Sequence, residues 1–486
     1  MSKDLRQFLQ LAKKAGSDYY VEVKKPLKPE LEVDVIQLKL DREGRYPVIY
    51  CPEIEGSKLP LVTNLFGSYE MLGLALGMEP KRMGKAEVFY EYRRKVGTAR
   101  PVQVVPASKA PVKQVTLQGS DVDLGILPII HHAELDSGKY ISIGQLICKD
   151  ADSGIPNVGV YRHEVKGKDK LAAMLLPAHH AGYIARRYAD LGKSMEVAIF
   201  IGHHPAVALG TLSRGSLDTN EFELMGGLLG EPVRVTQANT VALPVPADAE
   251  IVIEGTIDPH NRVIDGPFAE WLGYYGAKQE VHLIQVTCIT MRKDAIYHDL
   301  ANSQREHRLS CVLDTTRAIY DAVKRVVPTV KAVYMPYSGR HIMTAYISIA
   351  KRVAGEGMRA ALAAVNCEVE STRTVVVVDE DIDVYDEEEV LWAINTRVTP
   401  DLDIIVLPRV LGCNLVPTSY DETRGGRGTM NSKMIIDATK PVGLAVPTRV
   451  TPPEGMWNSM KLDEYLYSFK SFPICETSKV EGSLRT

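Results

Sequence analysis

The sequence predicts a multidomain α/β protein, and three features carry that expectation. Short apolar strands punctuated by Gly and Pro dominate residues 114–310. Strands and helices alternate over residues 311–450. A stretch bearing Pro101, Pro106 and Pro111 sets both apart from a smaller α/β region at residues 1–113. Prolines at that density interrupt helices and strand ladders alike, so the stretch reads as a linker at a domain boundary. A chain of 486 residues has room for roughly two to four domains with a large core.

In the first region, Leu5, Phe8, Leu9 and Ala12 follow helical spacing. Residues 46–50 and 61–67 read as strands, and residues 68–76 read as a helix closed by Gly77. In the middle region, residues 196–202, 249–257 and 281–290 read as strands. The run Ala249-Glu-Ile-Val-Ile-Glu-Gly-Thr-Ile257 alternates acid and aliphatic residues, which predicts one buried face and one wet face. This pattern suggests a barrel or sandwich interrupted by a few helices, one of them over residues 181–191. The third region offers strands at 330–335, 343–349, 374–378 and 403–407, with helices at 358–365 and 386–397. Four consecutive valines, Val375–Val378, indicate a strand covered on both faces, hence a parallel or mixed sheet. The acids Asp386–Glu389 suit a helix start, where the helix dipole favours negative charge. Residues 451–486 form a Pro-rich, then weakly helical tail that could contact another subunit.

Composition narrows the function classes. A formal net charge of −4 gives no reason to expect a nucleic-acid or anionic-membrane partner. No apolar run approaches the ~18 residues of a membrane span. Residues 1–14 do not read as a signal peptide, and seven dispersed cysteines without a Cys-x-x-Cys fit reduced thiols. A cytoplasmic enzyme is the expectation.

The turn Asp265-Gly-Pro-Phe-Ala-Glu270 presents two carboxylates on a Gly-Pro bend, where side chains can converge on a pocket. Asn157, His179, His180, Glu221 and Glu223 supply amide, imidazole and carboxylate groups that suit a divalent ion such as Mn²⁺ or Mg²⁺. Their spacing proves no site: on spacing alone, satisfied pocket or core histidines and a solvated helix start are the favoured account. His203-His204 reads as structural. The loop Arg424-Gly-Gly-Arg-Gly-Thr429 is a weak phosphate-binding candidate. No dinucleotide fingerprint, Walker loop or nucleophile elbow occurs.

Taken in order, these segments resemble the UbiD family of decarboxylases, which use prenylated FMN. The resemblance rests on Asn157-x-x-x-x-Arg162, Pro177-x-His179, Asn220-Glu-Phe-Glu223, Gly226-Gly-Leu-Leu-Gly-Glu-Pro-Val233, Glu254-Gly-Thr-Ile257, Gly266-Pro-Phe-Ala-Glu270 and Ser432–Lys440. It begins at Asp4–Leu9 and covers nearly the whole chain. It implies an N-terminal α/β region, a central split β-barrel holding the flavin (114–310), a C-terminal α/β domain (311–450) and a tail (451–486) that often joins subunits. It implies Asn157, His179 and Glu221 as ligands of a metal that bridges to the flavin phosphate. Val158, Gly159, Val160, Tyr161, Arg162, Ala178 and Lys433 become cofactor contacts, and a K⁺ ion sits near the Val158 backbone. His179 is preferred over His180 because it keeps the Pro-x-His spacing.

The resemblance also implies a catalytic set of Arg162, Asp265 and Glu270. Loss of CO₂ from an sp² carbon needs an electron sink that no side chain provides, so a cofactor must supply it. Arg162 would orient the substrate carboxylate, Glu270 would return a proton, and Asp265 would hold Arg162. The implied activity is a reversible decarboxylation of an aromatic, heteroaromatic or α,β-unsaturated acid. A flavin prenyltransferase would supply the cofactor, and the protein would form a homodimer or homohexamer. Two departures stand out. The family has Glu where this chain has Asp265, so the contact with Arg162 must shift or gain a water. Residues 301–308, Ala-Asn-Ser-Gln-Arg-Glu-His-Arg, replace a Gly/Pro-rich stretch. They form either an exposed loop or an entrance where Arg305, His307 and Arg308 favour an anionic or polar substituent. Two other readings stay open: an assembly subunit of a multi-subunit carboxylase, and a split-barrel flavin oxidoreductase.

Overall fold

A computed structural model describes residues 3–79, 83–177, 179–367, 371–420 and 430–465. The first helix, Leu5–Ala15, buries Leu5, Phe8, Leu9 and Ala12 on one face, and Asp4 caps it by accepting from the Gln7 amide. A four-stranded sheet follows, in the order Tyr20–Glu22, Val48–Cys51, Leu61–Thr63 and Tyr297–His298. Its last strand arrives from far along the chain, so the N-terminal region is stitched to the middle one. The expected linker is also docked rather than free. Its strand Gln103–Val104 pairs with Arg234–Gln237, and Val105, Ala110 and Val112 are buried.

Six antiparallel strands close into a barrel in the middle region. The order is Ile251–Asp265, Met195–Ile201, Tyr140–Lys149, Pro156–Gly167, Lys170–Ala173 and Gln279–Met291, which returns to Ile251–Asp265. Closure leaves these strands no free edge. The expected wet face of residues 249–257 is corrected here, because Glu250 and Glu254 are both fully buried. Glu250 accepts from Arg6 at 3.0 Å and from the Ile296 amide. Glu254 accepts from the Asn239 and Thr240 amides and pairs with Lys113. Covering segments from elsewhere in the chain replace water on this face and bring the donors that buried acids require.

The C-terminal domain is a five-stranded mixed sheet. Its order is Val330–Tyr334, Thr344–Ile349, Thr374–Asp379, Met430–Asp437 and Ile404–Leu411, parallel at the centre and antiparallel at both edges. The four valines are buried on both faces. Asp386 caps the helix Glu387–Arg397 by accepting from the Glu388 amide, the structural role expected of that acidic run. The helix Val312–Val326 has no counterpart among the sequence expectations. Residues 301–308 are corrected from an exposed loop: Arg305–Ser310 is a helical turn with Glu306 and Arg308 buried. Residues 441–465 form a separate unit that contains the short helices Glu454–Ser459 and Leu462–Tyr465. The loop 424–429 and residues 466–486 lie outside the described residues. No described helix is long and apolar enough to cross a membrane.

Candidate active site

One long barrel strand, Pro156–Gly167, organises two adjoining clusters. Its first residues, Asn157 to Tyr161, line a cavity of about 370 Å³ together with His179, His180, Ser213, Arg214 and Glu221. Asn220 starts the helix Glu221–Leu229 by capping the Phe222 amide, and this turns Glu221 inward rather than toward solvent. The Glu221 carboxylate accepts from Asn157 Nδ2 at 2.8 Å and from the Val158 amide at 3.2 Å. Asn157 Nδ2 also lies 3.5 Å from His180 Nδ1. Burial pushes the Glu221 carboxyl up to about 7, since no cationic side chain offsets the lost solvation.

A carboxylate, an amide and two imidazoles facing one cavity form a donor set that a borderline-hard divalent cation accepts. Turning the Asn157 amide by 180° would present its oxygen to such a cation in place of its NH₂. Among the described residues no group of three or more His, Cys, Asp or Glu side chains forms a metal site. His179, His180 and Glu221 share the cavity without converging on one point in this arrangement. His203 and His204 stay apart from it: both are buried, and their ring nitrogens accept from the His204 and Ala206 amides.

The second cluster begins where the first ends, about 17 Å along the same strand from Asn157. Arg162 donates from Nη2 to Asp265 at 2.6 Å and from Nη1 to Glu270. All three side chains are at most one-tenth exposed. Of the two ways the shorter Asp265 could meet Arg162, a shifted direct contact or a bridging water, the structure has the direct contact. Phe268 lies beneath the guanidinium at 4.4 Å, and the Tyr140 ring packs on Phe268 at 4.5 Å. Asp136 accepts from the Ala269 amide at 2.6 Å, and the Gly266 amide donates to the Tyr140 hydroxyl at 3.1 Å. These contacts fix the bend from both sides. Gly266 itself has φ +90, and a Cβ there would come within 3.1 Å of the Ala277 carbonyl, so only glycine fits the turn.

Burial raises the Glu270 pKa above the ordinary range for glutamate, and the Arg162 charge opposes that rise. The carboxyl lines a cavity of about 170 Å³ with Tyr274, Tyr275 and Leu415, the last contributed by the C-terminal domain. Lys433 is not brought into either cluster. It lines a separate cavity with Leu362, Val365 and Leu407, and its ammonium donates to the Val365 carbonyl at 3.0 Å. Ala178 lies outside the described residues. Sequence reasoning missed Arg214, whose only signal is an Arg-Gly pair shortly ahead of Asn220, and the bend's supports Tyr140 and Asp136.

Three family models match the chain in succession. They are the N-terminal domain of 3-octaprenyl-4-hydroxybenzoate carboxy-lyase at residues 11–86, its Rift-related domain at 103–304, and its C-terminal domain at 314–438. The chain belongs to the UbiD family of carboxy-lyases. It is 34% identical to the anhydromevalonate phosphate decarboxylase of Methanosarcina mazei, over 90% of this chain and 96% of that one. It is 31% identical to the phenolic acid decarboxylase of Sedimentibacter hydroxybenzoicus, over 96% and 98%. The UbiD-class enzyme HmfF from Pelotomaculum thermopropionicum, solved in complex with FMN, superposes with a TM-score of 0.86 at 32% identity, covering 95% of this chain and all of that one. An evolved dimeric form of HmfF has been solved with prFMN. The closed barrel between two α/β regions is thus a UbiD-family fold, as the order of sequence motifs implies.

Proposed function

We propose that this UbiD-family protein is a reversible, non-oxidative decarboxylase of an aromatic, heteroaromatic or α,β-unsaturated acid, working with prenylated FMN. The observation that carries this reading is the buried Arg162–Asp265–Glu270 cluster next to a cavity with metal-ligand chemistry on the same strand. The residues fit the cofactor. Asn157, His179 or His180, and Glu221 would hold Mn²⁺ (or Mg²⁺), which neutralises a flavin phosphate, and Arg214 would add charge beside it. The Val158 backbone would face a K⁺ ion. The stretch Gly159–Arg162 would run beside the flavin; a side chain at Gly159 would collide with Tyr161. Lys433 remains a candidate contact that would need the C-terminal domain to move. When bound, prenylated FMN supplies the electron sink for decarboxylation.

Arg162 would receive the substrate carboxylate on its fork. That carboxylate competes with Glu270 for the same guanidinium. Once Glu270 loses its cationic neighbour, burial and the nearby charges of Asp265 and Asp136 all act in one direction, and its pKa rises further. Glu270 is then a protonated acid beside the carbon that loses CO₂, which is what a general acid must be. Asp265 keeps Arg162 in place throughout. The burial of Arg162, Asp265 and Glu270 supports proton delivery by Glu270 rather than by bulk water. A homodimer or homohexamer and a flavin prenyltransferase as cofactor supplier complete the proposal.

The test is to make the protein with and without a flavin prenyltransferase and compare absorption spectra and CO₂ release. CO₂ release only from the prenylated preparation supports the reading. A preparation that holds no flavin in either case favours an assembly subunit, and unmodified FMN with reductase activity favours an oxidoreductase. His179→Ala and His180→Ala identify the imidazole ligand: the variant that loses metal and flavin together names it.

A further inference from the structure

Arg308 is a buried cation without an anion. It is 3% exposed, and no described carboxylate lies within ion-pair distance of it. Nη1 donates to the Ser303 carbonyl at 2.8 Å and to the Trp271 carbonyl at 3.4 Å, and Nη2 donates to the Tyr337 hydroxyl at 2.7 Å. These contacts occupy three of the five N–H groups of a guanidinium. Nε is buried and has no partner. Asp41, whose charge acts on Arg308, is linked to it only through Tyr337, whose hydroxyl lies 3.5 Å from Asp41. A charge taken out of water without a counter-charge is expensive, and native structures rarely leave one so.

The position of Arg308 relates it to the reacting groups. Trp271, whose carbonyl it binds, directly follows Glu270. The adjacent His307 is close enough to feel the Arg162 charge, and its Nδ1 is buried without a partner. Asn302, 5% exposed, has both side-chain polar atoms buried and unpartnered. Local charge follows the same direction. Asp265 and Glu270 are both engaged by Arg162, and a substrate carboxylate would offset Arg162 once Glu270 is protonated. Nothing in that set offsets Arg308.

We propose that the substrate carries a second oxyanion, remote from the carboxyl group it loses, and that Arg308 receives it with Asn302 and His307 as neighbouring hydrogen-bond groups. This inference rests on the decarboxylase reading and narrows its substrate class to dianionic acids. The second group is a carboxylate or a phosphate; both offer two oxygens to the Nε and Nη2 side of a guanidinium. Arg308 is a specificity-determining residue and takes no part in the proton transfer.

The experiment uses holoenzyme and benzoates that carry a second carboxylate, a phosphonate or a neutral methyl ester. Both kcat/KM for CO₂ release and equilibrium binding by calorimetry are measured. Wild-type protein should prefer at least one dianion to the ester by at least ~10-fold, most of it in KM. The better of the two dianions identifies the oxyanion. Arg308→Met should collapse that preference, and Arg308→Lys should restore part of it. Equal handling of dianion and ester by wild type overturns the inference, as does a loss in Arg308→Met that falls equally on both. If no acid releases CO₂ in this set or in the matching furoates and acrylates, the decarboxylase reading fails by itself, and the binding preference still decides the role of Arg308.

Discussion

In the proposed role Glu270 has to hold a proton although it lies beside a guanidinium that favours its release. Burial and Arg162 act on it in opposite directions, and burial wins even before substrate arrives. Glu270→Gln keeps volume and hydrogen bonding but removes the transferable proton. It should lower turnover by at least ~10²-fold with cofactor content unchanged, and normal turnover would remove Glu270 from its role. Asp265→Glu would restore the family's residue at a position that is 1% exposed and already bonded to Arg162. The extra methylene would displace that short contact with Arg162, so kcat should fall rather than rise; steady-state kinetics decide it. At this scale the sequence was informative where a motif fixes a residue type at a given order in the chain. Asn157, His179, His180 and Glu221 do meet in one cavity, and the bend does meet Arg162. Lys433 does not join them, because a motif specifies a strand position but not which carbonyl captures the ammonium.

Among elements, the bend 265–270 depends on its glycine and on two supports from the segment around residue 140. Gly266→Ala must relieve a left-handed φ and a 3.1 Å contact. It should cost ~1–3 kcal/mol of stability and lower kcat more than that loss explains, because both acids move with the turn. Denaturation midpoints and kinetics on the same preparation separate the two effects. Strands and helices with clear periodicity were legible, including the double-covered valine strand. The face of a strand was less so. Glu250 and Glu254 read as wet because acids usually are, and covering partners from elsewhere in the chain, Arg6 and Lys113 among them, make them core residues. The same holds for the helix Arg305–Ser310, whose charged composition masks a buried element. There Glu306 accepts from the Asn64 and Phe66 amides.

For the whole molecule, pH and metal should be linked through Glu221. Its carboxyl titrates near 7 in the metal-free fold and near 4.5 when unfolded. The folded state therefore binds more protons between those values. That contribution to stability is complete below about 4.5 and is lost as pH rises through about 7. A divalent cation needs the ionised form. The increase in melting temperature on adding Mn²⁺ should grow from about pH 5 to about pH 7, and a pH-independent increase would place the metal elsewhere. The overall architecture was legible because hydrophobic period switches along the chain. The barrel was legible through the order of motifs, whereas the strand pattern alone left barrel and sandwich open, because closure depends on the pairing of Ile251–Asp265 with Gln279–Met291 and on which strands flank them.

The central claim is that this UbiD-family chain removes CO₂ from an acid through its bound prenylated FMN and the proton of Glu270. The most direct measurement is CO₂ release from a panel of aromatic and unsaturated acids by protein co-produced with a flavin prenyltransferase, run beside Glu270→Gln. The account predicts release by the wild type alone, from at least one acid, and none without the prenylated cofactor. Release that is equal in the variant, or that persists with unmodified FMN, would contradict it.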